Sequence, residues 1–567
     1  MSKYTLTLLD TVGIQNYIFN SNVLRENIGA SELVRQATRV WPLEIASKSG
    51  ATNIKKSDEG YVLDDDLQIE THNLDAEIIY AGGGNCAILF ADEVRAKAFV
   101  KQLSCKVLSA APGLNVVAEH LPDVDFQKDV LVDKVREALR NLGEKKTRRR
   151  TSMPLMGVST TAACQSSGLP AVGTDVDEPG LKPAEESSRI LAADILAKLR
   201  YVDQANRHLG GYLPQFRDAH LEIPYDFDNF GREAGDISYI AVVHADGNGM
   251  GQRVGDLGCD FASAAQNRDY ILAIRHFSAT VRAISQQALS DISTLLLRHW
   301  VPRSDMIVGQ GTVPDEWPEP VAMGKPIHMA KDEKERLYIP FRPLVFGGDD
   351  LTFVTDGRLG LALAAAYLEA FERAVDQHCK DALVIRAGID KYLEGLKACA
   401  GVSVVKTHYP FSYAYALAEE LCGNAKKKLE RKVSALDWHF AMTGLFGDLD
   451  AIRARQYTAP AGRLEMRPVR LHDDGASWRT WPGFVAVTKT LAMHRDWRDK
   501  RNKVIALRQA LREGKAAVER FRTIYKLDKL PQWPGGTPAL RQTGWDAEYC
   551  GYFDAVEALD FFLPLEA

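Results

Sequence analysis

The eight cysteines, at positions 86, 105, 164, 259, 379, 399, 422 and 550, never form a C-x-x-C pair. That absence argues against a zinc ribbon or a disulfide framework, and it suits a reducing compartment. No hydrophobic run approaches the about 20 residues that a membrane span requires. Neither sign of charge dominates: 70 basic against 75 acidic residues leave a net charge of -5. Global charge therefore does not advertise a nucleic-acid binder, although local patches still could. The first residues, MSKYTLTLLDTVGIQNY, enter a strand-like run and show no leader-peptide pattern. What is present is a chain of 567 residues, 46% hydrophobic and 26% charged. This is the composition of an ordinary globular protein, too long for one core. The expectation is a cytoplasmic protein of two to four domains with no membrane partner.

Two regions share one order of elements. In the second, ISYIAVVHADGNGMG (237–251) reads as an apolar strand ending in Asp246 and a glycine-rich turn. A helical pattern follows to Arg298, then a polar, Pro-rich insertion (302–340) and a hairpin, FRPLVFGGDDLTFVT. A helix, the strand ACAGVSVVK and a last helix ending in NAKKKLERK complete the series. Strand, helix, hairpin, helix, strand is a β-α-β-β-α-β layout with helices on one face of an antiparallel sheet. The first region repeats it more loosely, with a strand ending in Asp10 and a hairpin around AGGGN. Laying Gly83-Gly84 on Gly347-Gly348 sets Asn85 against Asp349, Cys86 against Asp350 and Asp92 against Asp356. Internal duplication with one degenerate copy is the economical reading. Between the copies, GEKKTRRRTS (143–152) packs five basic residues into six positions and reads as a solvated loop. From Arg495 to Lys526 eleven basic residues face four acidic ones, in a helical pattern suited to a solvated face or an anionic partner.

The adjacent carboxylates Asp349 and Asp350 are the unusual feature. A tight turn needs one Asp at most, and like charges side by side repel, so the alternative to a bare turn is a divalent cation. In this layout the first strand and the hairpin are sheet neighbours, which brings Asp246 beside Asp349. Mg²⁺ or Mn²⁺ is bound through one or two carboxylates plus substrate phosphates, and a two-metal site clamps attacking and leaving oxygens. Asp246, Asp349 and Asp350 are therefore the candidate metal ligands and catalytic residues. The turn Gly247-Asn248-Gly249 leaves backbone N–H groups open to a triphosphate at the start of a helix. Gly347 and Gly348 remove side chains where a base or ribose must approach. Lys426, at the end of the last helix, is placed to meet terminal phosphates.

With these residues in hand, the chain resembles the palm polymerase family of type III CRISPR large subunits, and more distantly the nucleotidyl cyclases. The resemblance rests on GIQNYIF…RENIGASELV, ADGNGMG, FGGDDLTFV and ACAGVSVVKTHYPFSYAYALAEELCGNAKKK, and covers residues 1–440. It implies an α+β fold: two ferredoxin-like palms in a pseudo-dimer arrangement plus a C-terminal helical domain. The expected boundaries are a degenerate first palm (1–142), a linker (143–235), a catalytic second palm (236–440) and the helical domain (441–567). The implied activity is cyclic oligoadenylate synthesis from ATP in antiviral defence. The implied partners are effector-complex subunits or RNA, and a downstream protein that senses the product. Two family features are missing from the sequence: the HD-type nuclease domain ahead of the first palm, and the four-cysteine zinc site, to which only Cys164 in CQSSGLPA is similar. Asn85 and Cys86 cannot hold metal, so the first palm is expected to be silent.

Two other readings stay open at this point. One is a non-catalytic scaffold that binds nucleotide or guide RNA; the other is a cyclase that makes a cyclic dinucleotide.

Overall fold

The computed structural model describes residues 3–57, 60–148, 160–176, 188–231, 238–313, 317–442 and 447–566. Arg149 to Ser152, in the basic run, lie outside the described residues. So does much of the Ser/Gly/Pro-rich stretch that follows.

The first sheet is built from β1 (Lys3–Val12), β2 (Ala76–Gly82), β3 (Asn85–Phe90) and β4 (Asn115–Asp125), in the order β2-β3-β1-β4. Helix α1 (Leu24–Arg35) follows β1, α2 (Glu93–Ala110) follows β3, and α3 (Leu131–Arg148) follows β4. Asp92 starts α2 by accepting the Arg95 N–H, a side-chain cap that relieves one open donor of the first turn. Helix α3 runs through residue 143, so the first part of GEKKTRRR is helical rather than loop. Lys145 there donates to the Ala118 carbonyl at 3.1 Å and pairs with Glu119.

The second sheet repeats the plan and extends it. Its strands are β5 (Tyr239–Gly247), β6 (Phe341–Val345), β7 (Asp350–Asp356), β8 (Ala398–Lys406), β9 (Ala435–Ala441) and β10 (Val469–Arg470). Their order is β6-β7-β5-β8-β9-β10, and the first four match the first sheet position for position. The helices are α4 (Met250–Cys259), α5 (Asn267–Arg298), α6 (Gly360–His378) and α7 (Phe411–Lys428). Strands β5, β7 and β8 are almost wholly buried, in keeping with their largely apolar sequences, because helices cover one face and other elements the second. Pro343 sits in β6, an edge strand beside a register shift, where a missing N–H costs no ladder bond. Strand β9 pairs in parallel with β8, and β10 carries the sheet on to the C-terminal residues. Sequence reading placed no strand at β9, although ALDWHFA is an apolar run.

The C-terminal part is helical, as expected, with α8 (Trp481–Met493), α9 (Arg501–Glu513) and α10 (Lys515–Ile524). It also carries a sheet of four two-residue strands between Thr458 and Cys550. Much of its basic excess is spent internally. Arg501 pairs with Asp560 and Arg508 with Glu557, Arg522 donates to the Gln542 carbonyl, and Lys503 lies over the Trp497 ring. Among the described residues no helix is long and apolar enough to cross a membrane.

One helix ties the two sheets together. Arg268, Arg275 and Arg282 recur every seven residues along α5 and so share a face. All three reach the outer strand β2 or its hairpin. Arg268 takes Glu70 and Glu77, and Arg275 takes Asp65 and Glu77. Arg282 donates to the carbonyls of Ala81 and Gly347, both at 3.4 Å. The Glu77 side chain is fully buried, so its charge depends on these two guanidiniums. Removing one partner of such a network leaves a buried charge exposed to low dielectric, typically a loss of about 3–5 kcal/mol. Arg275→Met should therefore lower unfolding free energy by that order in denaturant titration, and adding Glu77→Gln should recover part of it. A loss well below 1 kcal/mol would show that the network does not hold the two sheets.

Candidate metal and nucleotide site

The register of the central strands assembles the carboxylates. Asp246 at the end of β5 stands opposite Asp350 at the start of β7, and His244 stands opposite Thr352. Directly opposed residues share a face, so both carboxylates leave the sheet on one side at one rim. The Gly247 N–H donates to the Asp349 carbonyl at 3.3 Å. A Cβ on Gly247 would meet the Asp349 Cβ at 3.1 Å, so glycine permits the hairpin to close over the strand end. Gly347, at φ +116°, takes a backbone conformation that other residues rarely adopt. The three predicted carboxylates are thus brought together.

Their electrostatics are strained. The Asp349 carboxyl is pushed up to about 7, by burial first and then by the charges of Asp246 and Asp350. Burial, then Asp246 and Glu419, push Asp350 up to about 8. The Asp350 side chain is 41% exposed overall, yet its Oδ1 is buried, so solvent relieves this carboxyl only in part. Oδ1 lies 3.3 Å from His244 Nδ1 without forming a hydrogen bond, because that nitrogen meets Thr352 Oγ1 at 3.2 Å. Burial holds the imidazole below its ordinary pKa, so it brings no positive charge to offset the carboxylates. Hard carboxylate oxygens, one of them buried without a donor, fit Mg²⁺ or Mn²⁺. Among the described residues no three His, Cys, Asp or Glu side chains stand as a ready-made cage.

Lys426 is in the site but not free in it. Its ammonium lies 2.5 Å from Asp246 Oδ2 and 2.9 Å from the Gly247 carbonyl, reaching in from the last turn of α7. Gly249, at φ +70°, opens α4, and no side chain caps that helix, so its first-turn N–H groups point outward unsatisfied by side chains. Asn248 is placed differently from expectation. Its side chain is buried and donates to the carbonyls of Arg431 and Val433 at 3.3 and 3.2 Å, which ties the turn to the segment between α7 and β9. Gly347 and Gly348 line a cavity of about 210 Å³ beside Asp349 and Asp350. Its wall includes the stacked pair His208 and Phe346, ring centres 5.6 Å apart, with Tyr212 edge-on to both. Sequence reading missed this wall, and it missed Glu419. His208 and Tyr212 come from a segment with no motif (Val202–Tyr212), Phe346 precedes the GGDD turn itself, and Glu419 is one of many helical glutamates.

The first sheet corrects the hairpin alignment. Asp10 stands opposite Asn85 as Asp246 stands opposite Asp350. The equivalent of Asp350 is therefore Asn85, the equivalent of Asp349 is Gly84, and Gly82-Gly83 lie on Gly347-Gly348. Cys86 falls on Leu351 as a buried core residue, and Asp92 falls on Gly357. The third glycine of AGGGN was the available signal. A second correspondence went unread: Lys146, in the last turn of α3, pairs with Asp10 as Lys426 pairs with Asp246. Gly143 and Lys146 match Gly423 and Lys426 in spacing. The first half keeps the strand–helix ion pair and lacks both hairpin carboxylates.

A raised carboxyl favours its protonated form in the fold, so its contribution to stability is fully present below pH 4. That contribution is lost as pH climbs to about 8. Metal-free protein should therefore lose melting temperature across this window relative to Asp349→Asn with Asp350→Asn. Mn²⁺ at pH 8 should restore the wild type only, with proton release on binding at pH 7. Superimposable pH profiles for the two proteins would refute this account of the site.

No protein-family model and no curated protein matches the sequence. Solved structures do. Csm1 in T. onnurineus superposes with a TM-score of 0.51 at 11% identity, covering 100% of this chain and 70% of that one. Csm1 in the Csm1–Csm4 cassette with pppApA gives 0.47 at 14% identity, covering 99% and 70%. The cassette with AMPPNP gives 0.45 at 14% identity, with the same coverage. At such identities the likeness is one of fold. The chain has the fold of Csm1, as its resemblance to the type III CRISPR large subunits leads one to expect.

Proposed function

We propose that the chain is a metal-dependent nucleotidyltransferase that joins ATP units and closes them into a cyclic oligonucleotide, with release of pyrophosphate. The observation that carries this reading is the convergence of Asp246, Asp349 and Asp350 at one rim, with two of the carboxyls held above their ordinary pKa by burial and mutual charge. A scaffold has no use for such a cluster, which destabilises the chain at neutral pH unless a cation joins it. Asp246, Asp349 and Asp350 would hold Mg²⁺ or Mn²⁺, which when bound lowers the pKa of a 3′-hydroxyl and stabilises charge on the transferring phosphoryl group. Lys426, released from Asp246, would meet the terminal phosphates, and the first turn of α4 would meet them with backbone N–H groups. The His208–Phe346–Tyr212 wall offers a base an apolar face.

In the same reading the two sheets are palms facing each other, with boundaries near residues 142, 235 and 440. The first is silent because Gly84 and Asn85 replace the hairpin carboxylates. Adenine as the base and a ring of several units follow the resemblance to the type III large subunits, as do effector subunits as partners and a protein that senses the product.

Purified protein incubated with each labelled NTP and Mg²⁺ or Mn²⁺, with products resolved by mass, tests this reading. ATP should give a cyclic oligomer, and Asp349→Ala with Asp350→Ala should give none while its metal-free melting temperature is unchanged or raised. A linear-only product, or undiminished product from the double variant, would sink it. Release of a cyclic dinucleotide would move the chain to the dinucleotide cyclases.

A further inference from the structure

Two of the three arginines on the shared face of α5 have carboxylate partners, and the third has none among the described residues. Arg268 and Arg275 end on Glu70, Glu77 and Asp65. Arg282 ends on two carbonyl oxygens, each at the long limit of a hydrogen bond. Those carbonyls belong to the two hairpins, Ala81 in the first half and Gly347 in the second. Gly82 passes so close that a Cβ there would meet Arg282 Nη2 at 2.8 Å. Arg39 stands near by, in a π-helical turn (Gln36–Val40), a geometry often found at functional sites. Among the described residues it has neither an ion pair nor a hydrogen bond. Burial lowers the pKa of both groups, and the charge of Arg39 lowers that of Arg282 further, to about 10. Both line the cavity that holds Asp349 and Asp350, and both also line a second one of about 240 Å³ behind it.

Two neighbouring cations, largely withdrawn from water and without an acidic partner, are costly unless an anion joins them. We propose that Arg39 and Arg282 form an anion subsite between the two hairpins, and that it takes a phosphate of a nucleotide or of an oligonucleotide chain. The nucleotide identity of that anion rests on the proposed function; the anion subsite itself does not. Guanidinium groups suit the task because their fixed fork matches phosphate geometry. The cavity then carries these two guanidiniums as well as the carboxylates of Asp349 and Asp350. A chain whose reacting end lies at Asp349 and Asp350 would have its next phosphate at Arg282. Because Arg282 touches both hairpins, an anion there would also bear on the spacing of the two halves.

Isothermal titration of the full chain in EDTA, with inorganic triphosphate and separately with a 5′-hydroxyl triadenylate, tests the proposal without metal or turnover. Wild type should bind at least one of them, and the tighter of the two identifies a terminal polyphosphate or an internal phosphodiester as the source. Arg39→Gln and Arg282→Gln should each weaken binding about tenfold or more. Asp349→Asn with Asp350→Asn should bind as tightly or tighter, since it removes nearby negative charge. Arg282→Lys, which keeps the charge, should retain part of the affinity, and melting curves for each variant establish that it is folded. Metal-free binding that survives in Arg39→Gln and Arg282→Gln would overturn the subsite, as would no binding by wild type. Loss of NTP turnover with intact metal-free binding would refute the proposed function and leave the subsite standing.

Discussion

Guanidinium groups spaced seven residues apart along one helix hold the two sheets in register. Arg268 and Arg275 neutralise Glu77, which is fully buried on the outermost strand of the first sheet, and they cover that edge as they do so. An open edge invites pairing with another chain, so the same contacts guard against aggregation. They also bring the AGGG hairpin to the same cavity as the GGDD hairpin. Every later feature of the site depends on that juxtaposition. The aromatic wall combines His208 and Tyr212 of the linker with Phe346 of the GGDD hairpin, the carboxylates come from the second sheet, and α5 lines the cavity with Arg282 and Gln286.

Within the second sheet the governing tension is between like charges. Burial and the charge of Asp246 raise the proton affinity of Asp349 and Asp350, and the fold answers with one ammonium, Lys426, on Asp246. The ammonium reaches only one of the three. Asp349 and Asp350 are left to hold protons or a cation, and their shifted pKa values place that choice near neutrality. In the first sheet the equivalent ammonium, Lys146, meets the equivalent carboxylate, Asp10, and the hairpin brings no further charge. One half is therefore electrostatically balanced by its own side chains and the other is not. This difference, more than any motif, separates the two copies.

Much of this was legible in the sequence. Strand ACAGVSVVK was placed to the residue, because an unbroken small and β-branched run bounded by turns has few other readings. The helix after the GGDD hairpin lies within two residues of expectation, and the one after ACAGVSVVK starts within one residue and ends four short, at Lys428. The carboxylate trio was legible because a β-α-β-β-α-β order makes the first strand and the hairpin neighbours. The hairpin register was not, since a run of three glycines allows two alignments and only cross-strand pairing with Asp10 decides between them. Nor were the ion pair of Lys146 with Asp10, 136 positions apart, and the carbonyl contacts of Arg282. Asn248 looked like a ligand residue and is a brace, because its partners are carbonyls of a segment far along the chain. Contacts of this kind leave no periodic trace.

The pairing of β5 with β7 has a kinetic side. Cross-strand partners such as His244 and Thr352 are 108 residues apart, and the helix α5 and a 39-residue-scale insertion intervene, so their meeting waits on a long loop closure. Before that closure Asp246 is far from the adjacent Asp349 and Asp350, so the three carboxylates neither crowd one rim nor share an ion. The divalent cation proposed for the site would consequently have little to bind in the unfolded chain. By mass action it favours the folded state in proportion to its occupancy. The same ion that would serve the chemistry would thus act as a late checkpoint on assembly.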